Sequence, residues 1–258
     1  MTSTTGLVGV LFDATLGGAG RGPASAGAPD SKLIEDLVAA NRILADQGIV
    51  DGYGHVSARH DRDPTRYLLS RDLAPALVTA DDIMEYELDS NPVDAKGRSL
   101  YSERFIHGEI YKARPDVRAV VHSHSPAVIP FSVSGISLRP VFHAAAFIVD
   151  GVPVFDTRRV PGPPHLLINS PEAGRALAQT LGSKPAVLIL GHGVAVVGTS
   201  LPMVVGRSIY LETSAKIQSQ AIALGGQLTE LDPAAARELA SSDYRRPWEL
   251  WKRRVTMK

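Results

Sequence analysis

The chain contains no cysteine. That absence excludes disulfide frameworks, thiolate nucleophiles and cysteine-ligated zinc together, and it fits a cytoplasmic protein. An excess of either charge is missing too: 27 lysines and arginines balance 27 aspartates and glutamates. Without a basic surplus there is no electrostatic reason to expect nucleic acid or an anionic membrane as a partner. No apolar stretch is long enough to cross a bilayer. The N-terminus lacks the basic start and apolar run of a signal peptide. What is present is ordinary for a globular protein: 258 residues, 44% of them hydrophobic. A chain of that size buries a large core, so folding requires no disulfide or structural metal.

Residues 17–30, GGAGRGPASAGAPD, hold little that a core would bury. They are expected to be flexible or loosely packed. The apolar GLVGVLFDATL before them is expected to dock elsewhere, a partner subunit being one option. Residues 1–30 are therefore set apart as an arm, and residues 31–258 as one catalytic domain with a helical tail.

From Ser31 the pattern changes. KLIEDLVAANRILADQG has helical apolar spacing, with Ser31 as the expected N-cap and Gly48 closing the helix. GHVSAR and RYLLS read as strands joined by the turn-like HDRDPT, and DIMEYELDSNP as a strand entering a turn at Asn91-Pro92. SERFIHGEIYKARP reads as a helix capped by Ser102 and stopped before Pro115. AVVHSHS and VPVFDT are further strands. SPEAGRALAQTLG is a helix with Ser170 as cap and Pro171 in its first turn. AVLILGHGVAVVG is a pair of apolar runs interrupted by Gly-His-Gly. LPMVVGRSIYLETSAKIQSQAIALGG is a long helix, and the tail from Asp232 is helical, then basic and aromatic. Helices alternate with strands and no linker divides them, which predicts a single α/β domain.

The chemistry concentrates in VVHSHS. Residues two apart on a strand share a face, so an extended AVVHSH projects His122 and His124 together. Paired imidazoles suit a borderline divalent ion: zinc, manganese, iron or cobalt, one per chain. His192, in LILGHGV, is a third ligand candidate, because the flanking glycines admit close approach and burial of an unengaged imidazole is costly. Three histidines with open positions describe a catalytic rather than a closed structural site. Glu103 is expected in the first turn of its helix, where the dipole favours a carboxylate; a ligand, an acid/base and a simple helix cap all fit that position. His107, one turn on, is expected to bond Glu103 or to be buried.

Taken in order, GHVSAR, SERFIHGEIYKARPDVRAVVHSHS, the late GHG and IYLETSAKIQSQA resemble the class II aldolase/adducin family from about Leu33 to about Gly226. The resemblance implies an α/β/α fold around a central, mainly antiparallel sheet, and a ring-like homotetramer with sites at subunit interfaces. It implies that Glu103 is acid/base and ligand, and that His122, His124 and His192 hold the metal. Sugar-phosphate aldolases of the family carry asparagine after the first glycine; here Gly54 is followed by His55, and the later loop is LSRDLAP with Arg71. Those departures resemble the branch that decarboxylates hydroxylated aromatic dicarboxylates, such as dihydroxyphthalates and hydroxypyridine-dicarboxylates. A small aromatic acid is the substrate implied, with His55 and Arg71 binding it; guanidinium grips a carboxylate at two points, and a surface ion pair is the equal alternative for Arg71. Arg158 and Arg159, after VPVFDT, are further candidates for that grip.

Decarboxylation also needs a proton for the ring carbon. Glu103 and His143, the latter ahead of an apolar run in RPVFHAAAF, are the candidates; a packed structural role for His143 stands beside this. The sequence also resembles the iron-dependent oxygenases that act on prenylated hydroxyphenylpyruvate, and an aldolase would use the same ligands. Adducin head domains keep the fold without catalysis, and the complete histidine set argues against that alternative.

Overall fold

The structure, a computed structural model, describes residues 24–162 and 165–256. The apolar part of the expected arm, and the rest of residues 1–23, lie outside these. The first half of the chain forms α1 (Ser31–Asp46), β1 (His55–Arg59), β2 (Arg66–Ser70), β3 (Ile83–Glu87), α2 (Phe105–Ala113), β4 (Ala119–Ser123) and α3 (Ile129–Val133). The second half forms β5 (Val154–Phe155), α4 (Pro171–Leu181), β6 (Ala186–Ile189), β7 (Gly193–Gly198), α5 (Leu201–Ala223), α6 (Pro233–Leu239) and α7 (Arg245–Thr256).

The seven strands make one sheet in the order β3-β2-β1-β4-β7-β6-β5. Every pairing is antiparallel except β5 with β6. The central strands read as nearly continuous apolar runs because both faces are covered. Val56, Ala58, Leu68, Val121 and Val196 point into one core with Leu37, Ile43, Val204, Ile209 and Trp248 from α1, α5 and α7. Tyr67, Leu69, Val120, Ala195 and Val197 point into the other, with Ile106, Ile110, Ala173 and Leu177 from α2 and α4. This is the α/β/α architecture expected. The basic-aromatic tail becomes α7, whose Trp248, Trp251 and Val255 close the first core.

Three boundaries differ from expectation. Asp30, not Ser31, caps α1, its carboxylate accepting the Lys32 N–H. The second helix starts at Phe105 with no side-chain cap, so Ser102 caps nothing and Glu103 sits in the turn before the helix. Residues 24–30 are held against the sheet rather than loose. The Ser25 hydroxyl and the Ala26 N–H both bond the Glu85 carboxylate, and the Gly27 carbonyl lies 3.1 Å from His60 Nε2. Ser170 caps α4 as expected, accepting from the Ala173 N–H, with Pro171 in the first turn.

Candidate metal centre

Register assembles the site. His55 on β1 pairs directly with His122 on β4, and directly opposed residues share a face. Both therefore face the α2/α4 layer, as do Ser57 and Val120. β2 pairs with β1 as Ser57↔Leu69. Extended by one step, the same register puts Arg71 opposite His55, and the alternation Tyr67, Leu69, Arg71 keeps it on that face. His124 follows one residue after the end of β4. His192 ends the tight turn between β6 and β7. A Cβ on Gly193 would lie 2.2 Å from the Ser123 carbonyl oxygen, so only glycine lets β7 start this close to β4, and Gly191 turns with φ +63°.

These elements bring one donor atom each from Glu103, His122, His124 and His192 within 4.8 Å of one another. His192 Nε2 lies 3.0 Å from His124 Nε2. One oxygen of Glu103 lies 3.5 Å from His192 Nε2 and 3.6 Å from His122 Nε2. The other oxygen accepts the Ile168 N–H at 2.8 Å. Both outer histidines are oriented by backbone: His122 Nδ1 lies 3.2 Å from the Val194 carbonyl, and His192 Nδ1 lies 3.0 Å from the Leu166 carbonyl. A carbonyl only accepts, so each Nδ1 carries the proton and each Nε2 offers a lone pair to the cluster.

The donor set fits a divalent ion. His122 Nε2 is sealed from solvent with no hydrogen-bond partner, which is costly for a buried acceptor. Three imidazoles and one carboxylate also leave coordination positions open. Electrostatics agree. Burial alone would raise the Glu103 pKa, but His122 and His192 hold it far below the usual carboxylate range. Burial lowers His192, and Glu103 more than compensates, so its net shift is upward. Burial and the neighbouring histidines push His124 down to about 4. His55 is lowered well below its ordinary value by burial and by His107 and His122.

The remaining expected site residues divide. His55 lies beside the cluster, its ring 5.2 Å from that of His122. Arg71 Nε donates to Asp82 at 2.6 Å, with the side chain about a third exposed at 36%. Arg158 lies just past the edge strand β5, its guanidinium fastened to Asp156. Arg159 follows it there. β5 runs parallel to β6 with Phe155 opposite Ile189, so both arginines follow β5 at the end of the sheet where β6 enters the His192 turn; the partner of Arg158 there is Asp156 rather than a residue of the cluster. His143 is exposed, against Phe142, and opens the 3-10 turn His143–Ile148 that packs on α5, on the opposite side of the sheet. His107 does not bond Glu103; its nitrogens meet His55 and Ser57.

Several contributors gave no local signal. Leu166 and Ile168 act through backbone groups. Ser57 and Tyr111 reach His107 only through the fold. Tyr53 stands exposed with its ring 6.2 Å from that of His124. A tyrosine between two glycines, ahead of a histidine-bearing strand, is the only local pattern that marks it out.

Residues 35–219 match the family described as Class II Aldolase and Adducin N-terminal domain. Decarboxylase tropJ of Talaromyces stipitatus is 34% identical over 253 residues, covering 88% of this chain and 95% of that protein. The 3,4-dihydroxyphthalate decarboxylase of Arthrobacter keyseri is 31% identical over 220 residues, covering 80% of this chain and 85% of that protein. Among solved structures, L-fuculose 1-phosphate aldolase from Glaciozyma antarctica superposes with a TM-score of 0.72 at 25% identity, over 88% of this chain and 89% of that one.

Proposed function

This chain belongs to the class II aldolase and adducin family, and from that premise we propose that it is a metal-dependent carboxy-lyase acting on a hydroxylated aromatic dicarboxylate such as a dihydroxyphthalate. One juxtaposition carries the reading. A Glu103–His122–His124–His192 donor set shares a sheet face with Arg71, two strands away by register. Strands lie about 4.8 Å apart, so Arg71 starts roughly 10 Å from His122. That span suits an aromatic ring with a hydroxyl and departing carboxylate at one end and a retained carboxylate at the other. The likeness to two decarboxylases over most of this chain supports the same reading.

A divalent ion bound by the three histidines and Glu103 would polarise the ring hydroxyl and spread the charge that develops on its oxygen. Arg71 fixes the ring by its far carboxylate, with Asp82 holding the guanidinium from behind. Glu103, held ionised, accepts the hydroxyl proton and returns it to the carbon that bears the departing carboxylate. The electrons of the broken carbon–carbon bond then move to the ring oxygen as CO2 leaves, and the phenolate so formed takes its proton from solvent. His143, exposed on the other side of the sheet, takes no part within one chain; Arg158, held by Asp156, stays a second candidate for the far carboxylate. The reading includes a homotetramer with the mouth of the site at a subunit interface. Its support is the exposed apolar rim beside the cluster, Tyr53, Val133, Leu166 and Leu167.

Anaerobic incubation of metal-loaded protein with dihydroxyphthalates tests the proposal. The expected result is CO2 and a dihydroxybenzoate in equal amounts. Turnover that requires and consumes oxygen would replace it with the oxygenase reading.

A further inference from the structure

Behind the cluster runs a chain of buried side chains that the mechanism above does not use. Tyr111 Oη lies 2.8 Å from Ser57 Oγ. Ser57 Oγ lies 2.6 Å from His107 Nδ1, and His107 Nε2 lies 2.6 Å from His55 Nδ1. His107 and Ser57 are 0% exposed, Tyr111 1% and His55 4%. At the near end, His55 Nε2 has no protein partner among the described residues, yet it is not among the sealed orphaned atoms. It opens beside His122 and against the Tyr101 ring, 4.6 Å away.

Counting protons gives this chain a direction. Run outward, Tyr111 donates to Ser57, Ser57 donates to His107 Nδ1, and His107 Nε2–H donates to His55 Nδ1. Every buried proton then has an acceptor, and the proton of His55 rests on Nε2. Run inward, His55 Nδ1–H donates to His107, His107 Nδ1–H to Ser57, and Ser57 to Tyr111. The Tyr111 O–H is then a buried donor with no acceptor among the described residues, an arrangement that native interiors avoid. We infer that His107 is a positioning residue, and that the Tyr111–Ser57–His107 chain holds His55 as the neutral Nε2–H tautomer, a hydrogen-bond donor aimed at a substrate oxyanion or carboxylate beside the metal centre. The oxyanion end of this inference rests on the decarboxylase reading; the proton placement does not.

The same chain keeps His55 from acting as the acid. Loss of its Nε2 proton through the relay would end on a Tyr111 phenolate, in a setting where burial already pushes that phenol upward. His55 therefore binds and orients, without passing a proton along the chain.

Long-range proton–nitrogen spectra of nitrogen-15 histidine-labelled protein test this directly, metal-free and zinc-loaded, with His55 assigned by loss of its signals in His55→Gln. The expected pattern is a protonated Nε2 and a bare Nδ1. A protonated Nδ1 overturns the proposal. Ser57→Ala removes the link that sets the direction, so His55 should become a mixture of tautomers; an unchanged His55 overturns the role of the chain. In turnover, His107→Gln keeps a donor to His55 and should stay within roughly threefold of wild type. His107→Leu should lose roughly 30-fold in kcat/KM, the size of a hydrogen bond to a charged group, with metal content unchanged. Equal rates for Gln and Leu overturn the positioning role, and if the Leu variant does not fold, the Ser57→Ala spectra decide. The spectra need no substrate. The Nε2–H pattern without decarboxylation of any diacid would sink the functional reading and keep the tautomer.

Discussion

His122 is tied to Val194 across the β4–β7 pair, its Nδ1 donating to the backbone carbonyl at 3.2 Å. That bond decides which nitrogen faces Glu103. It leaves Nε2 as a sealed lone pair with no protein partner, and a divalent ion is the group that such a lone pair accommodates. About one divalent ion per chain is expected on metal analysis. His122→Ala should fall to trace occupancy, because it removes the most buried of the four donors. Full occupancy in that variant would sink the assignment.

Glu103 has two separable duties, one for each oxygen. One oxygen anchors the Ile168 N–H and the other faces the imidazoles. Glutamine keeps an acceptor for Ile168 and loses the charge. Glu103→Gln should therefore keep its stability within about 1 kcal/mol, the scale of one neutral hydrogen bond. Turnover should fall by at least roughly 100-fold if the carboxylate is ligand and proton acceptor. Thermal melts beside steady-state rates separate the two effects; a large drop in melting temperature with rates preserved would make Glu103 structural.

Acid should weaken the metal-free protein through His107. Burial lowers its pKa from 6.5 to about 3. Above pH 6.5 neither state binds this proton, and its contribution is fully present. As pH falls from 6.5 toward 3, the unfolded chain takes up a proton that the folded one refuses. Stability then drops by up to about 1.4 kcal/mol per pH unit and levels off below the folded value. His55, also lowered, acts in the same sense. His192, raised by Glu103, acts in the opposite sense: its contribution is full below 6.5 and lost as pH rises through its folded pKa. Urea unfolding at about pH 7.5, 6 and 5 should show the decline, and His107→Gln should make it shallower, the remainder coming from His55 and His124. Parallel curves for wild type and variant would refute the assignment to His107.

The parts of this site that were legible in the sequence are those encoded within a few residues. HSH at the end of an apolar run and Gly-His-Gly between two apolar runs carry their geometry locally, through strand alternation and glycine torsions. The same is true of Ser170 ahead of Pro171. What stayed hidden depends on register between distant strands. That Ser57 stands beside His107 follows from how β1 and α2 pack against each other, which no local pattern states. Asp30 displaced Ser31 as the first cap because two adjacent capping residues compete and only backbone geometry chooses. Sequence proximity is also a weak guide: His143 stands at the head of an apolar run, yet that run packs on α5 on the other side of the sheet from the cluster.

Arg71 supplies the sharpest test of substrate class. Its Nε donates to Asp82, which also accepts from the Thr79 N–H and hydroxyl. The loop is thus fixed at the inner side of the guanidinium, and the two terminal nitrogens have no protein partner among the described residues. Those two nitrogens are the edge that grips a carboxylate with parallel donors, a geometry that an ammonium cannot supply. Arg71→Lys should therefore raise KM sharply for a dicarboxylate and change little for a monocarboxylate analogue lacking the far group. A lost charge-assisted pair costs on the order of 2–3 kcal/mol, or roughly 30- to 150-fold in kcat/KM. The competing account makes Arg71 a brace for the LSRDLAP loop through Asp82. Under that account Asp82→Asn and Arg71→Lys should lower the melting temperature alike, and diacid and monoacid should suffer equally. A selective loss for the diacid, with melting temperature held, assigns Arg71 to the substrate. Equal losses would remove the clamp, and with it the main reason drawn from this chain's own residues for preferring an aromatic diacid over an aldol substrate.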